Sequence, residues 1–182
     1  FHNGYCIMTN KSGDLGLIDK SGNWVVEPEY DEIWAPQSSG YRVIVKNGKH
    51  GVFDSNCAVV YPVEYGHIDI LSDGFVLTKD GKRWQEDFEG NITQPFMFDG
   101  TYDLRYPNGY DCCGDLVYEL ADFVQYEVMN SYGIMNRITG EPITPAIYSD
   151  INMLSKDLFE VQESDSYDWY LLDTKGNVFS QR

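Results

Sequence analysis

The sequence predicts an all-β protein of about five tandem antiparallel meanders, and three observations support this fold class. Residues 15–33 read as a short apolar run, a turn-forming segment and a second run of aromatic and β-branched residues. Recognisable copies of this stretch recur along the 182-residue chain. Asn47-Gly48 and Asp80-Gly81 separate alternating apolar runs, a strong hairpin signal because both central residues of a type I′ turn need positive φ.

The first unit shows how each element arises. Residues 15–18 and 24–26 are apolar enough to form strands, and residues 19–23 supply the turn between them. Pro28 cannot donate a hydrogen bond to a neighbouring strand, so it marks the end of the second strand or an edge position. Tyr30 then returns an apolar side chain to the core.

Close copies of the unit begin at Gly51 and Gly133, a more divergent copy begins at Trp84, and a partial copy begins at Tyr170. In the four complete units an Asp or Asn precedes the proline by nine, eight, eight and nine residues. A period of roughly 20 to 50 residues is typical of stacked or radial repeat proteins.

We predict a single repeat domain over residues 1–182. Its units are expected at about residues 4–39, 40–72, 73–121 (with an insertion at 100–115), 122–156 and 157–182, the last of them partial. The last unit stops without its Pro-x-Tyr segment. We therefore expect an open, solenoid-like array, with a small five-bladed propeller as the alternative.

The motif Lys-Asn-Gly-Lys-x-Gly-Val-x-Asp, followed by Gly and by Val-x-x-Pro-x-Tyr-x-x-Ile, resembles the WG repeat family of bacterial β-rich repeat proteins. The resemblance covers nearly the whole chain, leaving out chiefly residues 100–121. Leu15-Gly16, His50-Gly51 and Tyr132-Gly133 replace the Trp-Gly pair that gives the family its name. The resemblance implies an all-β array used mainly for association, and it supplies no catalytic residues.

The recurring aromatic and aliphatic positions are expected to form the core between units, because one small meander cannot bury its own face. These positions are Tyr30, Tyr65, Phe98, Tyr148, Ile33, Ile68 and Ile151. We expect Gly16, Gly51 and Gly133 to permit close approach of neighbouring backbone.

Charge limits the classes of partner. The chain has 13 Lys and Arg against 29 Asp and Glu, a net charge of −16. Such a surface repels nucleic-acid backbones and anionic lipids, whereas a basic protein would be attracted to it. No apolar run is long enough to span a membrane and no signal peptide is recognisable, so we expect a cytoplasmic protein; its oligomeric state stays open.

The third unit departs from the repeat. Motif starts at residues 16, 51, 84, 133 and 170 give intervals of 35, 33, 49 and 37, which place an insertion at residues 100–115. Insertions in repeat proteins often lie on the binding face, and tyrosine offers a large contact area with few torsions. The predicted partner-binding loop contains Tyr102, Tyr106, Tyr110, Asp111 and Asp115. The alternative is an extra hairpin with no role, and residues 115–121 fit either a helical turn or a strand.

The four cysteines are predicted to be reduced thiols. Cys112 and Cys113 are adjacent, and their Cα atoms are too close for the usual disulfide geometry; pairing of either with Cys6 or Cys57 stays open. No zinc pattern is present, and the spaced aspartates of the insertion leave calcium only as an alternative, so no cofactor is predicted.

Catalytic motifs are absent from the sequence: it has no GxSxG elbow and no glycine-rich phosphate loop, and His50 and His67 fall at structural repeat positions. We therefore predict a non-enzymatic protein that binds another protein. In its specific form this is an acidic inhibitor or immunity-type protein that covers a basic partner. The alternatives are a carbohydrate-binding or carbohydrate-active module and a structural role in a larger assembly.

Overall fold

The computed structural model describes residues 4–166 and 168–181, and it contains strands and turns but no helix in those residues. It forms two compact units. One comprises the chain up to Lys79 together with Arg83–Pro95, and the other comprises Asp80–Lys82 and the chain from Phe96 onward. None of the described residues forms a helix that is long and apolar enough to cross a membrane.

The first unit contains three sheets, in which sequence neighbours pair antiparallel. The first sheet consists of β1 (Cys6–Thr9), β2 (Leu15–Ile18) and β3 (Trp24–Tyr30). The second consists of β4 (Glu32–Ile33), β5 (Arg42–Lys46), β6 (Lys49–Phe53) and β7 (Val59–Tyr65). The third consists of β8 (His67–Ile70), β9 (Gly74–Lys79), β10 (Lys82–Asp87) and β11 (Ile92–Gln94).

The second unit is built on one seven-stranded sheet with strands in sequence order. Its strands are β12 (Gly100–Tyr110), β13 (Leu116–Val128), β14 (Ser131–Asn136), β15 (Tyr148–Ser155), β16 (Leu158–Glu163), β17 (Trp169–Asp173) and β18 (Val178–Gln181). Each of the four sheets runs from one edge strand to another and stays open. The predicted all-β fold of open antiparallel meanders is therefore confirmed.

One hydrogen-bonding pattern recurs in five turns of the described residues. Oδ1 of an aspartate accepts hydrogen bonds of 2.8–3.0 Å from the backbone N–H groups two and four residues later. The aspartates are Asp19, Asp54, Asp87, Asp111 and Asp173. The fourth residue of the turn has positive φ, which explains why it is glycine in all of these turns except at Cys57, where φ is 65°. Asn10 makes the same two bonds in β1–β2.

The inserted stretch contains one of these turns. Asp-Cys-Cys-Gly-Asp at residues 111–115 matches Asp-Lys-Ser-Gly-Asn at residues 19–23, both in sequence and in hydrogen bonds. The expected loop is instead the hairpin β12–β13, and residues 116–121 are strand. The sequence left an extra hairpin open as the alternative. The strand after its turn, β13, lacks the proline and the paired valines that follow the turn in the first two units.

Most predicted core positions are buried, namely Tyr30, Ile33, Ile68, Tyr148 and Ile151. Tyr65 is only half-buried, and the prediction for Phe98 was wrong because its ring is exposed. The third sheet ends at Gln94, so Phe98 has no strand to hold it inward. Phe96 packs on Tyr126 in the core instead, with ring centroids 5.2 Å apart.

The expected close approach of neighbouring backbone is confirmed at Gly16 and Gly51, whereas at Gly133 the close neighbour is the side chain of Tyr126. A Cβ added to Gly16 would lie 2.5 Å from the carbonyl oxygen of Val26, and one added to Gly51 would lie 2.8 Å from that of Tyr61. At Gly133 it would lie 2.5 Å from ring carbons of Tyr126. The cysteines are free thiols, as predicted, and Sγ of Cys112 lies 3.9 Å from Sγ of Cys113.

We expect Gly133→Ala to destabilise the protein by roughly 1–3 kcal/mol, the usual cost of overpacking a core. The Tyr126 ring cannot move aside easily, since it is fully buried and its hydroxyl donates a 2.6 Å hydrogen bond to the Thr144 carbonyl. Gly100→Ala is the control, because its Cβ would meet nothing closer than 3.8 Å. Urea unfolding of both variants tests this, and equal midpoints would contradict it.

The turn carboxylates should make stability fall in acid. A backbone hydrogen bond from Asn23 lowers the pKa of Asp19, and the Asn91 side chain lowers the pKa of Asp87. The pKa of an aspartate in the unfolded chain is higher, at about 3.9. The two ionised carboxylates therefore stabilise the folded state above that pH, and this stabilisation is lost as pH falls through the folded pKa. The double variant Asp19→Asn/Asp87→Asn keeps one acceptor oxygen in each turn for the backbone N–H groups and removes the titrating carboxyl. Its urea midpoint should therefore fall less than that of the wild type between about pH 5 and 2. Parallel curves would exclude this role.

Candidate partner-binding hairpin

The hairpin β12–β13 is anchored at its base and exposed at its end. Leu104 and Ala121 are buried in the core of the second unit, whereas every residue from Asn108 to Leu120 is exposed. A two-stranded ribbon with no further layer on it is marginally stable in water. Its end therefore depends on the anchored base and on its own turn.

Arg137, on the loop after β14, fastens the base. Its Nη1 donates a 2.8 Å hydrogen bond to Asp103 on β12, and its Nε donates a 2.9 Å bond to the carbonyl of Ala121 on β13. The guanidinium thus contacts both strands of the hairpin where the exposed part begins. Its planar array of donors suits this double role better than a lysine would.

One face of the exposed part is apolar. The register pairs Pro107 with Tyr118 and Tyr110 with Leu116, and Leu120 follows on the same face because side chains alternate along a strand. Tyr110 is 73% exposed, Tyr118 52%, Leu120 49% and Leu116 42%. These four side chains and Pro107 form what we term the apolar stripe.

The opposite face carries Val117 together with polar side chains that hydrogen-bond to one another across the hairpin. The hydroxyl of Tyr106 donates a 2.7 Å hydrogen bond to Glu119, its register partner across the hairpin. This bond raises the pKa of Tyr106 and lowers that of Glu119. Lower on β12, Tyr102 donates a 2.6 Å bond to Glu127, which raises the pKa of Tyr102.

The hairpin is strongly acidic. Between residues 99 and 128 the chain has seven carboxylates and one basic residue, Arg105. The carboxylates are Asp99, Asp103, Asp111, Asp115, Glu119, Asp122 and Glu127. Asp111 uses Oδ1 for the turn, and the backbone N–H of Asp115 makes the largest contribution to lowering its pKa, so it stays ionised well into the acid range.

The five residues predicted from the sequence do not form one cluster. Tyr110, Asp111 and Asp115 meet at the tip, whereas Tyr106 lies on the polar face and Tyr102 near the base. Tyr102 packs edge-on against Tyr132 rather than facing the tip.

The β13 half of the apolar stripe was not predicted from the sequence. Leu116, Tyr118 and Leu120 alternate with Val117 and Glu119, which is the period of a strand. The recurrence of Asp-x-x-Gly at residue 111 could have identified the turn that precedes this strand.

A histidine pair in the first unit is the other notable polar cluster. The rings of His50 and His67 lie edge to face with centroids 4.9 Å apart, and Nε2 of His67 lies 3.2 Å from Asp69. Nδ1 of His50 is buried without a hydrogen-bond partner among the described residues. Burial first, and then the charge of His67, lower the pKa of His50.

The described residues contain no cluster of metal ligands, and the second unit has a shallow pocket. No group of three or more His, Cys, Asp or Glu among them is arranged to hold a metal ion. A shallow pocket of about 380 Å³ in the second unit is lined by Ser149, Gln162, Ser164, Asp165 and Ser166, with no Trp or Tyr among these residues.

The fold defines the class of protein, an all-β chain of tandem meanders closed by aspartate turns. Residues 16–49 and 132–167 match the model of the WG containing repeat family. The two matches begin at Gly16 and Tyr132, beside the motif glycines. These two matches together cover less than half of the chain, and they confirm the resemblance to WG repeats seen in the sequence. No curated protein matches the chain.

Solved structures give only distant similarity. Hsv2 of Kluyveromyces lactis is 9% identical with a TM-score of 0.33, over 98% of this chain and 60% of that one. Virginiamycin B lyase from Staphylococcus aureus is 14% identical with a TM-score of 0.31, over 100% of this chain and 70% of that one. The chain thus spans less than two thirds of the length of Hsv2.

The histidine pair predicts a pH dependence of stability. Since the folded pKa of His50 lies below its unfolded value of about 6.5, the unfolded chain takes up the proton first. The contribution of neutral His50 to the free energy of unfolding is therefore complete above about pH 6.5, and it decreases as pH falls toward the folded pKa. His50→Phe keeps an aromatic ring and removes the titration, so its urea midpoint should change less than that of the wild type between about pH 7 and 5. An unchanged pH profile would contradict this.

Proposed function

We propose that this WG repeat protein is a non-enzymatic binding protein and that the hairpin β12–β13 docks on a basic protein partner. One observation carries the proposal: an apolar stripe lies on a ribbon that is rich in carboxylates and has no core of its own beyond Ala121. Apolar side chains at the centre and charged groups at the rim are the arrangement found in protein interfaces.

The composition of the stripe supports a contact role. Tyrosine is enriched in interfaces because it buries a large area while freezing few torsions, and Tyr110 and Tyr118 face each other diagonally across the hairpin. The anchoring of the base by Arg137 lowers the ordering cost of binding, since the strands are already held in register.

Charge selects the class of partner. The seven carboxylates of residues 99–128 create a negative potential that attracts a basic surface and speeds its encounter. An inhibitor or immunity-type protein that covers a basic partner is the specific form of this proposal. Cytoplasmic location belongs to the same proposal.

A carbohydrate-binding or carbohydrate-active module is the competing proposal. Such a module would place Trp or Tyr rings along a groove, with paired carboxylates if it also hydrolysed the sugar. The pocket in the second unit is lined by serine, glutamine and aspartate side chains. Binding to a glycan array, retained when the hairpin is altered, would favour this second function.

The test compares two variants of equal net charge. Tyr118→Ser/Asp115→Lys alters the hairpin, and Ile138→Ser/Asp73→Lys makes the same kinds of change at exposed positions elsewhere. A basic protein captured from host lysate is purified, and its binding to each variant is measured by calorimetry at low and high salt. We expect the hairpin variant to bind at least about tenfold more weakly and the control to bind like the wild type.

Two outcomes would overturn this proposal. An acidic or neutral partner whose binding is insensitive to salt would exclude the charge argument. Equal loss of affinity in both variants would remove the hairpin from the interface.

A further inference from the structure

We propose that Cys112 and Cys113 form a dithiol site for a soft, thiophilic centre that needs only two protein sulfurs, such as a monosubstituted trivalent arsenical. Both thiols are exposed at the tip of the hairpin, and their Sγ atoms lie 3.9 Å apart. Two thiolates bound to one tetrahedral ion through bonds of about 2.3 Å lie roughly 3.8 Å apart, so the observed spacing is that of two ligands on one centre.

The turn holds the two cysteines in place. Oδ1 of Asp111 accepts hydrogen bonds from the backbone N–H groups of Cys113 and Asp115, and Gly114 supplies the positive φ that closes the turn. The same bonds recur in the other aspartate turns, so the backbone at the tip has a fixed geometry. A second sulfur held this close binds intramolecularly, which raises its effective concentration.

The turn also keeps the pair as a dithiol. Adjacent Cα atoms are about 3.8 Å apart, short of the usual disulfide range, and a disulfide needs its sulfurs about 2.05 Å apart. Closing the present gap of 3.9 Å would require the turn to change shape. The thiols therefore remain available as ligands in a reducing compartment.

Ligand number decides which centre fits. Structural zinc takes four protein ligands, and the described residues contain no group of three or more His, Cys, Asp or Glu that could hold a metal ion. Hard cations prefer oxygen, and Asp111 already uses Oδ1 in the turn. A monosubstituted arsenic(III) centre is satisfied by two soft thiolates, which matches what the tip offers.

The chemistry balances without an oxidant. Phenylarsine oxide reacts with two thiols to form two As–S bonds, and both thiol protons leave with the oxide oxygen as one water. The other two cysteines are less suited: Cys6 and Cys57 are half-buried, and burial raises the pKa of the Cys57 thiol.

The test uses the reduced full-length chain with one equivalent of phenylarsine oxide, followed by intact mass spectrometry. We expect one adduct that is reversed by 2,3-dimercaptopropanol and resists an equal concentration of monothiol. In Cys112→Ser and Cys113→Ser, affinity should fall about 100-fold, because the intramolecular second bond is lost.

The control variant Cys6→Ser/Cys57→Gly should keep the adduct, and glycine suits the positive φ at position 57. No adduct on the wild type, an adduct of undiminished affinity in either single serine variant, or its loss in the control variant would each overturn the proposal. Urea unfolding of all variants confirms that a lost adduct reflects a lost sulfur rather than a lost fold.

Discussion

The fold depends on one recurring interaction, in which an aspartate oxygen accepts two backbone N–H groups of its own turn. Asp19, Asp54, Asp87 and Asp173 all make this pair of bonds, and each joins two antiparallel strands. Because the bonds are local, each turn fixes the register of its meander without help from contacts between meanders. The cores then form where the strands so aligned bury their apolar faces against a neighbour.

The same turn, used at Asp111, has a different outcome in the hairpin β12–β13. Elsewhere a meander continues into a core, whereas here the strands on both sides of the turn extend beyond the last buried residue, Ala121. A local interaction thus builds a ribbon without the burial that normally accompanies it. The apolar stripe is the consequence, since its side chains keep the alternation of a strand but have no layer to cover them.

Much of this architecture could be predicted from the sequence, because glycine, proline and aspartate report local backbone requirements directly. Gly16 and Gly133 make close contacts that any Cβ would block. The sequence shows this requirement because glycine recurs at the same position of the repeat. The exposure of Phe98 follows from the end of the third sheet at Gln94. No residue near Phe98 signals in the sequence that the sheet ends there. The hairpin could be predicted only as an alternative to a loop, because its strands diverged from the repeat while its turn did not. Which faces lie exposed is a property of packing, so the apolar stripe required the structure.

The identity of the turn acceptor has a wider consequence. Asn10 makes the same two hydrogen bonds as the aspartates, so the geometry needs a side-chain oxygen at that position and no charge. The negative charge of the chain is therefore a separate variable from its architecture. Proteins with the same meanders can therefore carry a neutral or positive surface, if Asn replaces Asp in the turns and basic residues replace acidic ones on the strands. Such changes would alter the choice of partner while the fold stays the same.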